Sequence, residues 1–127
     1  MELFMNNIQH IGIPTGKYEE SLEFYRKLGF KEKYVTKQPN GRPVAFYELG
    51  NMCMEVYDSD EAKECTGAID HITIDCTDVD KAYEYCVGQG LKICSDGIEA
   101  LPYWDNGIRF FKVEGPNRET IEICQIL

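Results

Sequence analysis

Positive charge is scarce in this chain. Thirteen lysines and arginines stand against 22 aspartates and glutamates, for a formal net charge of −9. Nucleic acid and anionic membrane surfaces would both be repelled, so neither is expected as a partner. Long apolar runs are also missing, and none approaches the roughly 18 residues that a membrane span requires. The opening MELFMNN has neither a cationic start nor a long apolar stretch, so no secretory leader is expected and the expected compartment is the cytoplasm. No two of the six cysteines are spaced as CxxC, which excludes a zinc ribbon. Cys53, Cys65, Cys76, Cys86, Cys94 and Cys124 read instead as reduced, mostly buried thiols. Histidine is the scarcest of the chemically versatile residues, with only His10 and His71.

What the chain does have is ordinary globular material. Apolar residues at 43% and charged residues at 28% supply enough core for folding, and 127 residues predict one domain. Inside that domain the sequence repeats. Residues 8–30, IQHIGIPTGKYEESLEFYRKLGF, align without a gap on residues 69–91, IDHITIDCTDVDKAYEYCVGQGL, at a constant offset of 61. Ile8, His10, Ile11 and Ile13 fall on Ile69, His71, Ile72 and Ile74, while Glu23 and Gly29 fall on Glu84 and Gly90. Such self-similarity indicates duplication of one supersecondary unit.

Each copy reads as βαβββ, giving an α+β fold of two tandem modules at about 7–58 and 68–126, joined by a polar linker at 59–67. A strand at about 7–14 or 69–76 leads into a helix whose start is marked by Thr15 and Gly16, or by Thr77 and Asp78. Tyr18, Leu22 and Tyr25 form an apolar stripe at helical spacing. Gly29 and Gly90 suit the left-handed stop at the helix end. Three strands then follow, near 30–38, 43–49 and 52–58 in the first module and near 91–96, 107–114 and 119–126 in the second, with turn residues between them.

Strand alternation sorts the remaining side chains. In IDHITID, Ile72 and Ile74 share one face, and His71 and Thr73 the other. In NMCMEVYD, Met52, Met54 and Val56 oppose Cys53, Glu55 and Tyr57. In ETIEICQI, Ile121 and Ile123 oppose Thr120, Glu122 and Cys124. Taken singly, a strand histidine is more often a hydrogen-bonded core or edge residue, and a mid-strand glutamate more often lies on a solvated face. Both readings weaken when two histidines and two glutamates recur at repeat-related positions. Two imidazoles and two carboxylates facing one cavity would make a competent divalent metal site.

The paired βαβββ units, the helix end FYRKLGF at 24–30 and the closing GPNRETIEICQ at 115–125 resemble the vicinal oxygen chelate superfamily. That group contains the glyoxalases, the bleomycin-resistance proteins and the extradiol dioxygenases. The resemblance spans about residues 7–126, and the order His, Glu, His, Glu is most similar to glyoxalase I (lactoylglutathione lyase). It implies a curved mixed sheet, with His10, Glu55, His71 and Glu122 as ligands of one divalent metal per site (Ni, Co, Zn or Mn). It also implies a homodimer, with each metal held between two chains. The implied chemistry chelates adjacent oxygens of a small 2-oxo/hydroxy, hemithioacetal-type substrate and shuttles a proton through an enediolate. Glu122 would be the proton carrier and Glu55 its counterpart.

The chain departs from that pattern where glyoxalase I holds glutathione. Pro14 stands four residues after the first ligand in place of an arginine, and Ser59 four residues after the second in place of an asparagine. Another thiol adduct, or a small keto compound, is therefore open. Arg109 and Lys112, with Tyr103 and Trp104, are candidates to line an anionic substrate pocket, or are surface charge and rim aromatics. Three other members of the group supply alternatives. An epimerase similar to methylmalonyl-CoA epimerase would need an extra base, where Gln38 stands near the expected place. A ring-cleaving Fe(II) dioxygenase would be obstructed by Glu55. A bleomycin-resistance-like binder of cationic drugs would suit the charge of −9, but such binders generally lack the metal ligands.

Overall fold

The computed structural model describes residues 4–127. The chain forms two compact units, Met1–Lys63 and Glu64–Leu127, and the boundary lies inside the 59–67 stretch. The first unit contains β1 (Ile11–Thr15), α1 (Tyr18–Lys27), β2 (Lys31–Lys37), β3 (Pro43–Leu49) and β4 (Met52–Asp58). The second contains β5 (Ile72–Asp75), α2 (Val79–Gly88), β6 (Lys92–Ile93), β7 (Glu99–Leu101), β8 (Ile108–Glu114) and β9 (Thr120–Ile126). Each unit has its own mixed sheet, in the order β1-β4-β3-β2 and β5-β9-β8-β6, with β7 also paired to β8. The first strand is parallel to the last in both, and the other pairs are antiparallel. Among the described residues, no helix is long and apolar enough to cross a membrane.

The helix ends follow local chemistry. Asp78 caps α2 by accepting the Lys81 N–H at 3.1 Å. Lys17, the cap of α1, makes no side-chain cap bond. Thr15 Oγ1 accepts the Lys17 N–H at 2.8 Å and lies 3.0 Å from the Ser21 hydroxyl. Both helices end in the same way. Gly29 has φ +101° and Gly90 φ +74°. Phe30 N–H donates to the Tyr25 carbonyl and Gly29 N–H to that of Arg26, and Leu91 and Gly90 repeat the pattern on Cys86 and Val87. This is a Schellman closure, and the Phe30 ring packs edge-on to Tyr25 with centroids 5.3 Å apart.

Helix burial is broader than the expected stripe, taking in Ser21, Leu22, Phe24 and Tyr25. In the first unit Tyr25, Tyr47, Met54 and Val56 are almost wholly buried, as are Val79, Phe111, Val113 and Ile121 in the second. Burial of this apolar surface is the main driving force for each helix-on-sheet layer.

Three expectations need correction. The first strand of each unit is shorter than predicted. Among the described residues its only ladder partner is β4 or β9, and pairing begins at Ile11 with Met54 and at Ile72 with Ile121. Among the described residues, those upstream pair with no strand, and Ile8 and Ile69 are 81% and 74% exposed. His10 and His71 therefore stand immediately before their strands. Secondly, the 91–96 strand keeps only Lys92 and Ile93. Gly97, at φ +63°, turns the chain, and Ser95 Oγ takes the Lys112 N–H at 2.9 Å where a strand carbonyl would otherwise accept it. The separate strand β7 then completes this edge. Thirdly, the thiols are free but not mostly buried. Cys86 and Cys124 are buried, Cys53 and Cys76 half-buried, and Cys65 and Cys94 exposed. Cys65 lies in the linker and Cys94 at the point where the expected strand breaks. Burial pushes the Cys86 thiol up to about 11.

Candidate metal centre

β4 buries Met54 and Val56 against α1, so Glu55 is directed to the face away from the helix. Its parallel partner is Gly12 and its antiparallel partner Phe46. A Cβ at position 12 would lie in ordinary contact with Glu55 Oε1, at 3.4 Å, so the carboxylate sits directly over Gly12. In the second unit, Ile121 and Ile123 are buried and Glu122 takes the other face, between Thr73 and Lys112. Gly12 and Thr73 are related by the offset of 61, so the two glutamates occupy equivalent positions. The offset between the glutamates themselves is 67, because the second unit has longer loops around β8.

Each glutamate meets the histidine of its own unit. His71 Nε2 lies 3.2 Å from Glu122 Oε2, and His10 Nε2 lies 3.6 Å from Glu55 Oε1. Glu122 is the more enclosed carboxylate, with 12% of its side chain exposed against 28% for Glu55. Metal–ligand bonds of about 2.1 Å put neighbouring donors about 3.0 Å apart at a right angle and about 3.4 Å apart at the tetrahedral angle. The His71–Glu122 pair matches that spacing and the His10–Glu55 pair is slightly wide. An imidazole nitrogen with a carboxylate oxygen also suits a borderline divalent ion in ligand type. The structure thus brings the four predicted ligands together as two pairs. Among the described residues, no group of three or more His, Cys, Asp or Glu side chains is gathered for an ion.

The other imidazole nitrogen is engaged in both units. His71 Nδ1 lies 2.9 Å from Asp70 Oδ2, and His10 Nδ1 is hydrogen-bonded to Gln9 Oε1. The bond from His71 holds the Asp70 carboxyl below its ordinary range, and the nearby Lys112 charge adds to the effect. Sequence reasoning missed Gln9 and Asp70. The available signal was a side-chain acceptor immediately preceding each candidate histidine.

The surroundings of the two pairs differ. Beside Glu55 stands an aromatic wall: Phe46 meets His10 edge-on at 5.5 Å and Tyr34 at 6.2 Å. Lys112 occupies the corresponding place beside Glu122, half-buried, and among the described residues no carboxylate lies within 4.0 Å of its ammonium. Phe46 and Tyr34 were also missed, since only the strand register places them on the glutamate's face.

The remaining predicted residues are not gathered here. Arg109 pairs with Gln125, on the helix side of the sheet, and its guanidinium forks onto Asp80 at 2.9 and 3.0 Å. The Gln125 side chain accepts the Val79 N–H at the start of α2. Arg109 therefore ties α2 to the sheet. Tyr103 and Trp104 are exposed, in the loop after β7. Trp104 lines a shallow hollow of about 390 Å³ with Leu101, Pro102, Ile108 and Leu127. That hollow adjoins Ile108, whose partner is Ile126. Four residues of strand, about 13 Å, separate Ile126 from Glu122.

Comparison with known proteins agrees with this architecture. A curated protein of Bacillus subtilis (strain 168), the uncharacterized protein YwbC, is 31% identical over 126 residues, covering 93% of this chain and 96% of that one. The glyoxalase family protein from Enterococcus faecalis superposes with a TM-score of 0.78 at 18% identity, covering 96% of this chain and 99% of that chain. The fosfomycin resistance protein FosX from Listeria monocytogenes, in its complex with Mn(II) and sulfate, gives 0.72 at 15% identity, covering 98% and 95%. At those identities the structural likenesses show the fold. Residues 7–123 match the family described as the Glyoxalase/Bleomycin resistance protein/Dioxygenase superfamily, and with two like units each carrying a His–Glu pair, the chain belongs to that superfamily.

Proposed function

We propose that the protein is a metal-dependent lyase or isomerase of the glyoxalase I type, acting inside the cell on a small anionic 2-oxo/hydroxy compound such as a hemithioacetal. The observation that carries this reading is the recurrence of one His–Glu pair, in one strand register, in both units. In this proposal His10, Glu55, His71 and Glu122 hold one divalent ion per site. The ion, when bound, would polarise two adjacent substrate oxygens and stabilise the charge that develops as a neighbouring C–H proton leaves. Glu122 takes that proton and returns it to the next carbon; its greater enclosure supports this role over Glu55, its counterpart. Among the described residues each unit gathers two such donors, so the proposal includes a homodimer in which each ion takes one pair from each of two copies.

Of the four residues considered for substrate contact, the proposal retains Lys112. Lys112 stands opposite Glu122 in the strand register, and among the described residues no carboxylate lies within 4.0 Å of its ammonium, which suits an anionic substituent, while the Phe46 and Tyr34 wall suits an apolar one. The epimerase alternative is less well supported. Gln38 supplies no base, because a carboxamide does not titrate, and its Nε2 is held by donating to the carbonyls of Pro43 and Asp58 at 3.2 and 2.9 Å. Pure drug sequestration draws on the net charge and the aromatic wall, but leaves the paired ligands unexplained.

The test is metal content by mass spectrometry on untagged protein, followed by turnover of 2-oxoaldehyde hemithioacetals made with several thiols. The expected result is about one divalent ion per chain, lost in His10→Ala and Glu122→Ala. Glu122→Gln should retain much of the metal and lose turnover. Protein that cannot be loaded with Ni, Co, Zn or Mn would overturn the reading.

A further inference from the structure

In an extended strand, neighbouring side chains point to opposite faces. Gln9 and Asp70 do not follow that rule, since each reaches the ring of the histidine that follows it. They can do so because β1 and β5 begin one residue later, at Ile11 and Ile72, so the dipeptide lies outside the ladder and its backbone is not held to the pleat. The late start of both strands thus has a consequence for the site. It lets the preceding side chain fold back onto Nδ1 and leaves Nε2 directed at the glutamate.

We propose that Gln9 and Asp70 are positioning residues that accept a hydrogen bond from Nδ1–H and so present Nε2 of His10 and His71 as the metal-binding atom. This inference rests on the metal-site reading and deepens it. Three observations carry it. The contact recurs in both units at the same position relative to the histidine. The imidazoles are about one-third exposed and lie outside the strands, so the ladder does not fix their orientation, and the ring contact of His10 with Phe46 has, among the described residues, no counterpart in the shared pattern. And the Asp70 side chain is largely exposed, so its bond to the ring serves no core. The acceptors differ, an amide oxygen for His10 and a carboxylate for His71. A neutral oxygen therefore suffices for the contact, and the charge at Asp70 is not its essential feature.

The experiment uses the full-length protein with zinc as the probe, titrated against a competing chelator for the wild type, Asp70→Ala, Asp70→Asn and Gln9→Ala. Long-range nitrogen–proton correlation spectra of the zinc-loaded wild type report which ring nitrogen is coordinated. With two histidines in the chain, the four nitrogen signals are assignable. The expected result is coordination through Nε2 and protonation at Nδ1 in both rings. Zinc affinity should fall about 10- to 100-fold in Asp70→Ala and in Gln9→Ala, while Asp70→Asn stays within about threefold of wild type because its amide oxygen still accepts. Coordination through Nδ1 would overturn the inference, as would wild-type affinity in Asp70→Ala. An Asp70→Asn variant as weak as Asp70→Ala would also overturn it, because charge rather than hydrogen-bond acceptance would then carry the effect. Wild-type protein that takes up no zinc, nickel, cobalt or manganese would overturn the metal reading itself, and the inference with it.

Discussion

Glu122→Ala separates a metal ligand from a structural ion pair. If the contact with His71 only stabilises the fold, removing it costs what a partly exposed pair contributes, about 1 kcal/mol or less. With an unfolding entropy of about 2.1 cal/mol/K per residue, a chain of 127 residues has about 0.27 kcal/mol/K at its midpoint. A loss of 1 kcal/mol is then a fall of about 4 °C, the same with or without metal. A ligand predicts a different pattern. Free ion at about 100 times Kd stabilises the native state by about 2.7 kcal/mol, which raises Tm by about 10 °C in the wild type. Glu122→Ala, missing one of four proposed ligands, should lose most of that rise while its metal-free Tm stays within about 4 °C of the wild type. The assay is calorimetric melting of both proteins, in chelator and at matched free metal. A variant that keeps the full metal-dependent rise would refute Glu122 as a ligand. A wild type with no rise would refute the site.

Other perturbations test the surrounding structure. Met54 is fully buried between α1 and the sheet, and Met54→Ala should cost about 2–5 kcal/mol in urea unfolding with the slope unchanged. Arg109→Ala should leave KM and turnover as they were, whereas Lys112→Ala should raise KM for anionic substrates more than it lowers kcat; the reverse ranking would contradict the assignment of Arg109 to the helix side. Thiol reagents at neutral pH should modify Cys65 and Cys94 well before Cys86, whose burial raises its thiol to about 11, as peptide mapping over time would show.

Much of this protein was legible in one dimension. The duplication is visible as an offset of 61, both helix stops in Gly29 and Gly90, and the parity of Glu55 and Glu122 in the alternation of the strands that carry them. These are nearest-neighbour properties: a left-handed residue, a period of two and a period of 3.6 are set by steric preferences a few residues long. The four candidate ligands could be named as well, because an imidazole and a carboxylate at repeat-related positions need no third dimension to be noticed.

The ladder decided the rest. The alternation of IQHIGIP and IDHITID continues past the residues that find a partner strand, so only the pairing of Ile11 with Met54 and of Ile72 with Ile121 shows where each strand starts. That start places the histidines outside the pleat and frees Gln9 and Asp70 to reach them. Arg109 and Lys112 stand three positions apart and so face opposite ways. Which one shares the glutamate's face depends on the register that sets Lys112 opposite Glu122 and Arg109 opposite Gln125. Register is a choice among long-range hydrogen bonds, made by whichever alignment buries Phe111, Val113, Ile121 and Ile123 together, and a single slip would exchange the two faces. The residues thus set what each element can be, while the partner strand sets where it begins and which side of it faces the chemistry.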